Sequence, residues 1–154
     1  VLDVGPGAGK YAALVRQAAP EARLTAVEID PKYVEAFNLR SLYDEVIVAP
    51  ASILISKPRV RFDVAIFGDC IEHMYKSSGI DLLNFLIYRC GYIFVVWPEG
   101  LIQDDWEGHA WEAHISTWAP WDFAGWQPLH IHTDPMMHLV AIKGYQPTRV
   151  ILEE

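Results

Sequence analysis

The first nine residues, Val1-Leu2-Asp3-Val4-Gly5-Pro6-Gly7-Ala8-Gly9, limit what this chain can fold into more than any other stretch. A short apolar run carrying one carboxylate leads into glycines at alternate positions. Glycine leaves the backbone bare where a ligand must lie against it, and it permits the positive φ that a tight strand-to-helix turn needs. The stretch therefore predicts the first βα turn of an open α/β sheet, with a nucleotide-type cofactor lying along Gly5, Gly7 and Gly9. Asp3 narrows the choice of cofactor. A dinucleotide site sets its pyrophosphate on the amides of the helix N-terminus, where a preceding carboxylate repels it. The third glycine of the dinucleotide fingerprint would also fall where Lys10 stands. A ligand with a cationic group, such as the ammonium of an amino acid, suits Asp3 better.

Nineteen residues beyond Gly9, at the end of the apolar run Leu24-Thr25-Ala26-Val27-Glu28-Ile29-Asp30, stands Glu28. A carboxylate at that distance and at the C-terminal end of a second strand is placed to accept hydrogen bonds from two ribose hydroxyls. An amino-acid end together with a ribose defines S-adenosylmethionine. These residues resemble the first two motifs of the class I S-adenosylmethionine-dependent methyltransferases. The likeness continues through Phe62-Asp63-Val64-Ala65-Ile66-Phe67-Gly68-Asp69-Cys70-Ile71-Glu72-His73-Met74, similar to the fourth motif in the subgroup where Glu and His follow the strand. Gly91 to Pro98 then resembles the fifth strand.

The resemblance implies a single domain over residues 1–154 with a Rossmann-like, doubly wound α/β fold. Its sheet would be mainly parallel and seven-stranded, with the last strand antiparallel beside the fifth and helices on both faces. S-adenosyl-L-methionine would be held by Asp3, Gly5, Gly7, Gly9, Glu28 and Ile29, by Ala51 and Ser52 after the third strand, and by Asp69 after the fourth. In many relatives a carboxylate after the third strand receives the adenine amino group. Here that stretch is Val48-Ala49-Pro50-Ala51-Ser52, which leaves adenine recognition to backbone groups or Ser52. Val1 is not methionine and lies within the first strand, so the chain is expected to be a fragment lacking the helix that usually precedes it.

Local patterns agree with this outline. Apolar runs near 1–5, 23–29, 45–49, 63–69 and 92–98 read as strands, and 9–19, 31–42 and 79–90 read as helices. Asp30 before Pro31 reads as a helix N-cap, and Pro20 closes the first helix. Between the third and fourth strands there is room for only one or two helical turns. Leu129 to His132 and His138 to Lys143, flanking Thr133-Asp134-Pro135-Met136-Met137, read as a β-hairpin.

Composition bounds the function. No run of 18 or more apolar residues and no signal-peptide pattern is present, so neither a membrane span nor secretion is expected. Two cysteines, Cys70 and Cys90, in apolar segments read as free thiols of a reducing, cytoplasmic setting. The net charge of −8, with no basic cluster, argues against a nucleic-acid substrate. The chain also lacks the Asn/Asp-Pro-Pro-aromatic motif of amino-methylating nucleic-acid enzymes and the Pro-Cys pair of cytosine-C5 methylation.

The expected acceptor is a small molecule, with oxygen the preferred acceptor atom. His73, after the fourth strand, is the first choice of base for its proton, the alternative being a structural role at the helix start. Asp69 either shapes the methionine or acceptor end or caps a helix. Glu107 to His114 resembles the stretch that forms part of the active-site lid in related small-molecule methyltransferases, which makes His114 the second catalytic candidate. All six tryptophans lie between positions 97 and 126, as an aromatic acceptor pocket or as a structural cluster or homodimer contact. The groupings His109-Glu112-His114 and His130-His132-Asp134 do not match a zinc pattern and no metal site is assigned, while the resemblance to sugar O-methyltransferases that use a divalent cation held by acidic and imidazole groups leaves a metal open. Two other readings stand beside the methyltransferase: a domain that keeps the fold without transfer activity, and, on shared fold alone, a nicotinamide-dependent reductase.

Overall fold

In the computed structural model, residues 1–105 and 108–148 are described; Trp106 and Glu107, counted above with the tryptophans and the lid, lie outside them. Seven strands run β1 (Leu2–Val4), β2 (Thr25–Glu28), β3 (Glu45–Val48), β4 (Phe62–Gly68), β5 (Cys90–Pro98), β6 (His130–Thr133) and β7 (Met137–Lys143). They form one sheet of order β3-β2-β1-β4-β5-β7-β6. The first five are parallel, and β7 inserts antiparallel between β5 and β6. The order reverses between β1 and β4, and open α/β sheets bind ligands at the carboxyl ends of the strands beside such a reversal.

Strand alternation divides the core between the two faces. Leu2, Val4 and Val27 face one cluster with Leu54, Leu82, Leu83 and Leu86, the last three on helix α4 (Lys76–Leu86). Leu24 and Ala26 face the other with Ala12, Val34, Leu39 and Tyr43. That second face is covered by α1 (Lys10–Ala18), α2 (Pro31–Ala36) and α3 (Leu39–Leu42). The link after β3 is a short 3-10 stretch, Ala51–Ser56, as the limited spacing requires.

Two helices differ from the sequence outline. The expected helix over 31–42 is two helices, because Asn38 adopts a left-handed conformation at φ 48° between α2 and α3. Asn tolerates this conformation better than most residues, and Val34 and Leu39 on either side of it enter the same buried cluster. The third helix begins at Lys76 and ends at Leu86, earlier than the expected 79–90, and a turn over 87–89 leads into β5. Asp30 does cap α2, its side chain accepting from the Lys32 amide at 2.8 Å with Pro31 at the first helical position.

Candidate active site

The turn after β1 carries positive φ at Gly5, Gly7 and Gly9, at 65°, 50° and 78°. At Gly5 a Cβ would lie 2.5 Å from the Cys70 sulfur, so the β1 turn and the β4 turn approach each other as only glycine permits. At Gly7 a Cβ would meet nothing within 4 Å, and this residue borders the open cleft. Gly9 is placed differently: it caps α1 and packs against Leu42, away from the cleft.

The carboxyl edge of the sheet opens into two adjoining chambers, each of about 240 Å³, which share Gly5, Ile29, Cys70, His73 and Trp111. One is the more polar of the two and is lined by Gly7, Lys10, Glu28 and Asp69. The other is mostly apolar and is lined by Ala49, Pro50, Ala51, Ser52 and Leu82. Seven of the nine residues expected to hold a cofactor therefore line these two adjoining chambers. Asp3 and Gly9 do not line it.

Asp3 points to the α1–α3 face, where its Oδ2 accepts the Tyr43 hydroxyl at 2.5 Å, and among the described residues its Oδ1 has no hydrogen-bond partner. It is 2% exposed, and burial pushes its carboxyl up to about 6 against the opposing effect of the Tyr43 hydrogen bond. Tyr43 was invisible as a partner because it lies 40 residues from Asp3. Glu28 accepts from the Asp30 amide at 2.8 Å, and burial raises its pKa from the ordinary value. Asp69 takes φ 53° and lies 3.8 Å from the Lys10 ammonium.

The segment after β5 crosses the cleft as a strap. His109 Nδ1 lies 3.2 Å from Asp30 Oδ2, tying the strap to the end of β2. Trp111, 55% exposed, lines both chambers. The far end is fixed by the Ile115 and Ser116 amides, which donate to the Glu72 carbonyl at 3.0 and 3.1 Å. This attachment brings His114 against His73, with ring centroids 4.7 Å apart and planes at 76°. His73 lines both chambers, whereas His114 stands behind it and lines neither. Burial lowers the pKa of His73, with a further lowering from His114, and the Ala113 carbonyl opposes both.

The tryptophans separate by role. Trp97 and Trp118 are buried with Phe123, and the Trp97 indole donates to the Trp118 carbonyl at 2.9 Å. They serve mainly the core, and of the described tryptophans only Trp111 lines the two chambers. The histidine groupings also change. His130 and His132 lie exposed on β6, and His109 turns to Asp30, away from His114. The ligating side chains that do converge among the described residues are Glu72, His73 and His114.

A sheet of this order, with a glycine turn after β1 and an acidic residue closing β2 over the same cleft, defines the class I S-adenosylmethionine-dependent methyltransferase fold. The chain belongs to the methyltransferase-domain family, whose pattern matches residues 2–83. Among curated proteins it is similar to a tRNA1(Val) (adenine(37)-N6)-methyltransferase of Vibrio parahaemolyticus, 36% identical over 66 residues. That match covers 40% of this chain and 28% of the relative. Among solved structures, a SAM-dependent methyltransferase from Archaeoglobus fulgidus superposes with a TM-score of 0.72 at 13% identity, covering 92% of this chain and 84% of that one. The N-terminal domain of EvdMO1 with SAH bound gives 0.64 at 16% identity over 93% and 73%. Magnesium protoporphyrin IX methyltransferase (ChlM) from Synechocystis PCC 6803, with bound SAM, gives 0.62 at 12% over 93% and 68%. No helix among the described residues is long and apolar enough to cross a membrane.

Proposed function

We propose that this chain transfers a methyl group from S-adenosylmethionine to an oxygen atom of a small-molecule acceptor. The observation that carries the reading is the meeting of Gly5, Gly7, Glu28 and Asp69 around the polar chamber, with Ile29, Ala51 and Ser52 around the chamber beside it. Glu28 keeps a desolvated carboxylate at the end of β2, suited to accept from a pair of neutral hydroxyls, and the bare backbone at Gly7 leaves room against the loop. The apolar chamber suits adenine, with the Ser52 side chain and backbone groups replacing the absent carboxylate.

When bound, the cofactor supplies an electrophilic methyl group on a sulfonium. The chain's part is to position an acceptor, exclude water and hold a proton. Trp111 lines both chambers and offers an aromatic wall against water. The Ala113 carbonyl at 3.2 Å can only accept, so it fixes the His73 proton at Nδ1 and leaves Nε2 as a lone pair. With its pKa lowered, that ring is neutral and able to take a proton from a hydroxyl. His114, held by its own Nδ1 to the Leu101 carbonyl at 2.8 Å, acts through His73 as a positioning residue.

The curated relative is named for a tRNA adenine acceptor. A net charge of −8 is poorly matched to a phosphate backbone, which favours the small-molecule reading. Calorimetric titration with S-adenosylhomocysteine, with NADH as comparator, tests the cofactor. Binding is expected near micromolar, weakened at least tenfold in Glu28→Ala, about 1.4 kcal/mol. Tighter binding of NADH would overturn the reading. Transfer to a panel of hydroxylated metabolites, lost in His73→Ala while S-adenosylhomocysteine still binds, tests the chemistry and separates an enzyme from an inactive domain of the same fold.

A further inference from the structure

The polar chamber is unevenly charged. Four carboxylates line it: Glu28, Asp30 and Asp69 follow or end strands of the sheet, and Glu112 comes from the strap. Among the described residues Lys10 is the only lysine or arginine that lines it. Lys10 lies 3.8 Å from Asp69, and His109 lies 3.2 Å from Asp30. No ion pair among the described residues includes Glu28 or Glu112. Two carboxylates in the chamber are therefore left without a cation.

Glu112 is held in place by its backbone. The Gln103 side chain donates to its carbonyl at 2.7 Å, and its amide donates to the His109 carbonyl at 3.0 Å. The carboxylate is felt by two groups on the far side of the strap's crossing. Burial first, and then Glu112, push the Tyr33 hydroxyl of α2 up to about 12. Burial first, and then the charges of Asp30 and Glu112, raise Glu28 against the amides it accepts from. The strap thus brings to the end of β2 a negative charge that the sheet alone does not supply.

This charge bears on which form of the cofactor the cleft prefers. S-adenosylmethionine and S-adenosylhomocysteine share an adenine, a ribose and an amino-acid end of no net charge, and differ by one methyl group and one positive charge on sulfur. Hydroxyls that donate to Glu28 satisfy its lone pairs and leave its charge in place. Unpaired negative charge in a half-enclosed, poorly solvated space attracts the sulfonium form and is indifferent to the neutral one. In methyl transfer the acceptor oxygen forms the new bond, its proton passes to His73, and the electron pair of the broken bond stays on sulfur, which leaves the spent cofactor neutral.

We propose that Glu112, together with Glu28, makes the cleft select the charged cofactor over its neutral demethylated product, so that Glu112 is a specificity-determining residue of the strap. The inference rests on the cofactor reading above and does not depend on which acceptor is methylated.

The test is calorimetric titration at low salt with S-adenosylmethionine, with S-adenosylhomocysteine and with sinefungin, an analogue that carries an ammonium in place of the methylsulfonium and has no methyl to transfer. Both cations are expected to bind at least about fivefold more tightly than S-adenosylhomocysteine. In Glu112→Gln that preference should fall by about threefold or more, with S-adenosylhomocysteine affinity little changed. Glu21→Gln removes the same charge from an exposed position beyond α1, at the opposite edge of the sheet, and should leave the preference intact. S-adenosylhomocysteine bound as tightly as the two cations would overturn the proposal and leave the cofactor reading standing. So would a Glu112→Gln variant that weakens all three ligands alike, since Glu112 would then only position the strap. Failure of all three to bind the unsubstituted chain would sink the cofactor reading and this inference with it.

Discussion

Asp3 shows how one residue can be read correctly for its presence and incompletely for its surroundings. A carboxylate next to the glycine loop is plain in the sequence, but the Tyr43 hydroxyl that meets it comes from beyond α3. Burial raises its pKa from 3.8 to about 6, so between these values the folded chain binds more protons than the unfolded one. Stability therefore falls as pH rises through that window and stays lower above it. Asp3→Asn keeps an acceptor for Tyr43 without the charge. It is expected to stabilise the ligand-free chain at about pH 7.5 by roughly 1–3 kcal/mol, with the gain gone near pH 4. Thermal unfolding at the two pH values checks this, and an equal gain at both would contradict it. Two glycines give a second contrast. A Cβ at Gly144 would lie 2.0 Å from the Cys90 carbonyl oxygen, a backbone atom that cannot step aside. Gly144→Ala should cost about 1–3 kcal/mol or more without touching the cleft. Gly7→Ala meets no neighbour and should cost only the roughly 1–2 kcal/mol of a left-handed backbone, yet weaken S-adenosylhomocysteine. Denaturant melts and ligand titrations on both variants separate the two effects.

At the scale of elements, what the sequence made legible follows from which signals are local. Strand alternation, the Asp30 cap and the turn before β7 need only near neighbours, and all appear in the structure. Val34 of α2 and Leu39 of α3 enter the same buried cluster on either side of the break at Asn38, so the apolar pattern over 31–42 reads as one segment. The strap was harder still, because it is held by contacts reaching back from His109 to Asp30 and from Ile115 and Ser116 to Glu72. Its resemblance to a lid singles out this segment and His114. It did not indicate that His114 would stand behind His73, or that Glu72 would complete a cluster. The strap's tie to β2 makes a prediction of its own. His109→Ala removes the contact with Asp30 but leaves Trp111 and the Glu72 attachment in place. Faster release of S-adenosylhomocysteine is expected, several-fold in koff, with melting temperature changed little because the contact lies at the rim. Stopped-flow displacement measures it, and an unchanged koff would mean that Trp111 closes the cleft without that tie.

Over the whole molecule, stability and binding rest on different parts of one sheet, and this can be separated by experiment. Trp97 lies near the carboxyl end of β5, fully buried against Phe123 and donating to the Trp118 carbonyl, three strands across the sheet from Glu28 at the end of β2. The sequence placed all six tryptophans in one region but could not divide core from cleft, because the loops between β5 and β6 carry no period that fixes their facing. Trp97→Phe loses packing and leaves that carbonyl without its donor, at a cost of about 2–4 kcal/mol. Glu28→Ala relieves a desolvated carboxylate and leaves the Asp30 amide without its acceptor; the two effects oppose each other, so ligand-free stability should change little. A ligand at a hundredfold excess over Kd adds about 2.7 kcal/mol to the folded state. For a chain of this size that is a rise in Tm of roughly 5–10 °C. The expected pattern in thermal melts with and without S-adenosylhomocysteine is a double dissociation. Trp97→Phe should start from a lower Tm and keep the full ligand-induced rise, whereas Glu28→Ala should start near the unsubstituted value and lose most of it. If Trp97→Phe lost the rise as well, the tryptophan core and the cofactor cleft would be one cooperative unit, and the aromatic region would have to be assigned to binding as well as to the fold.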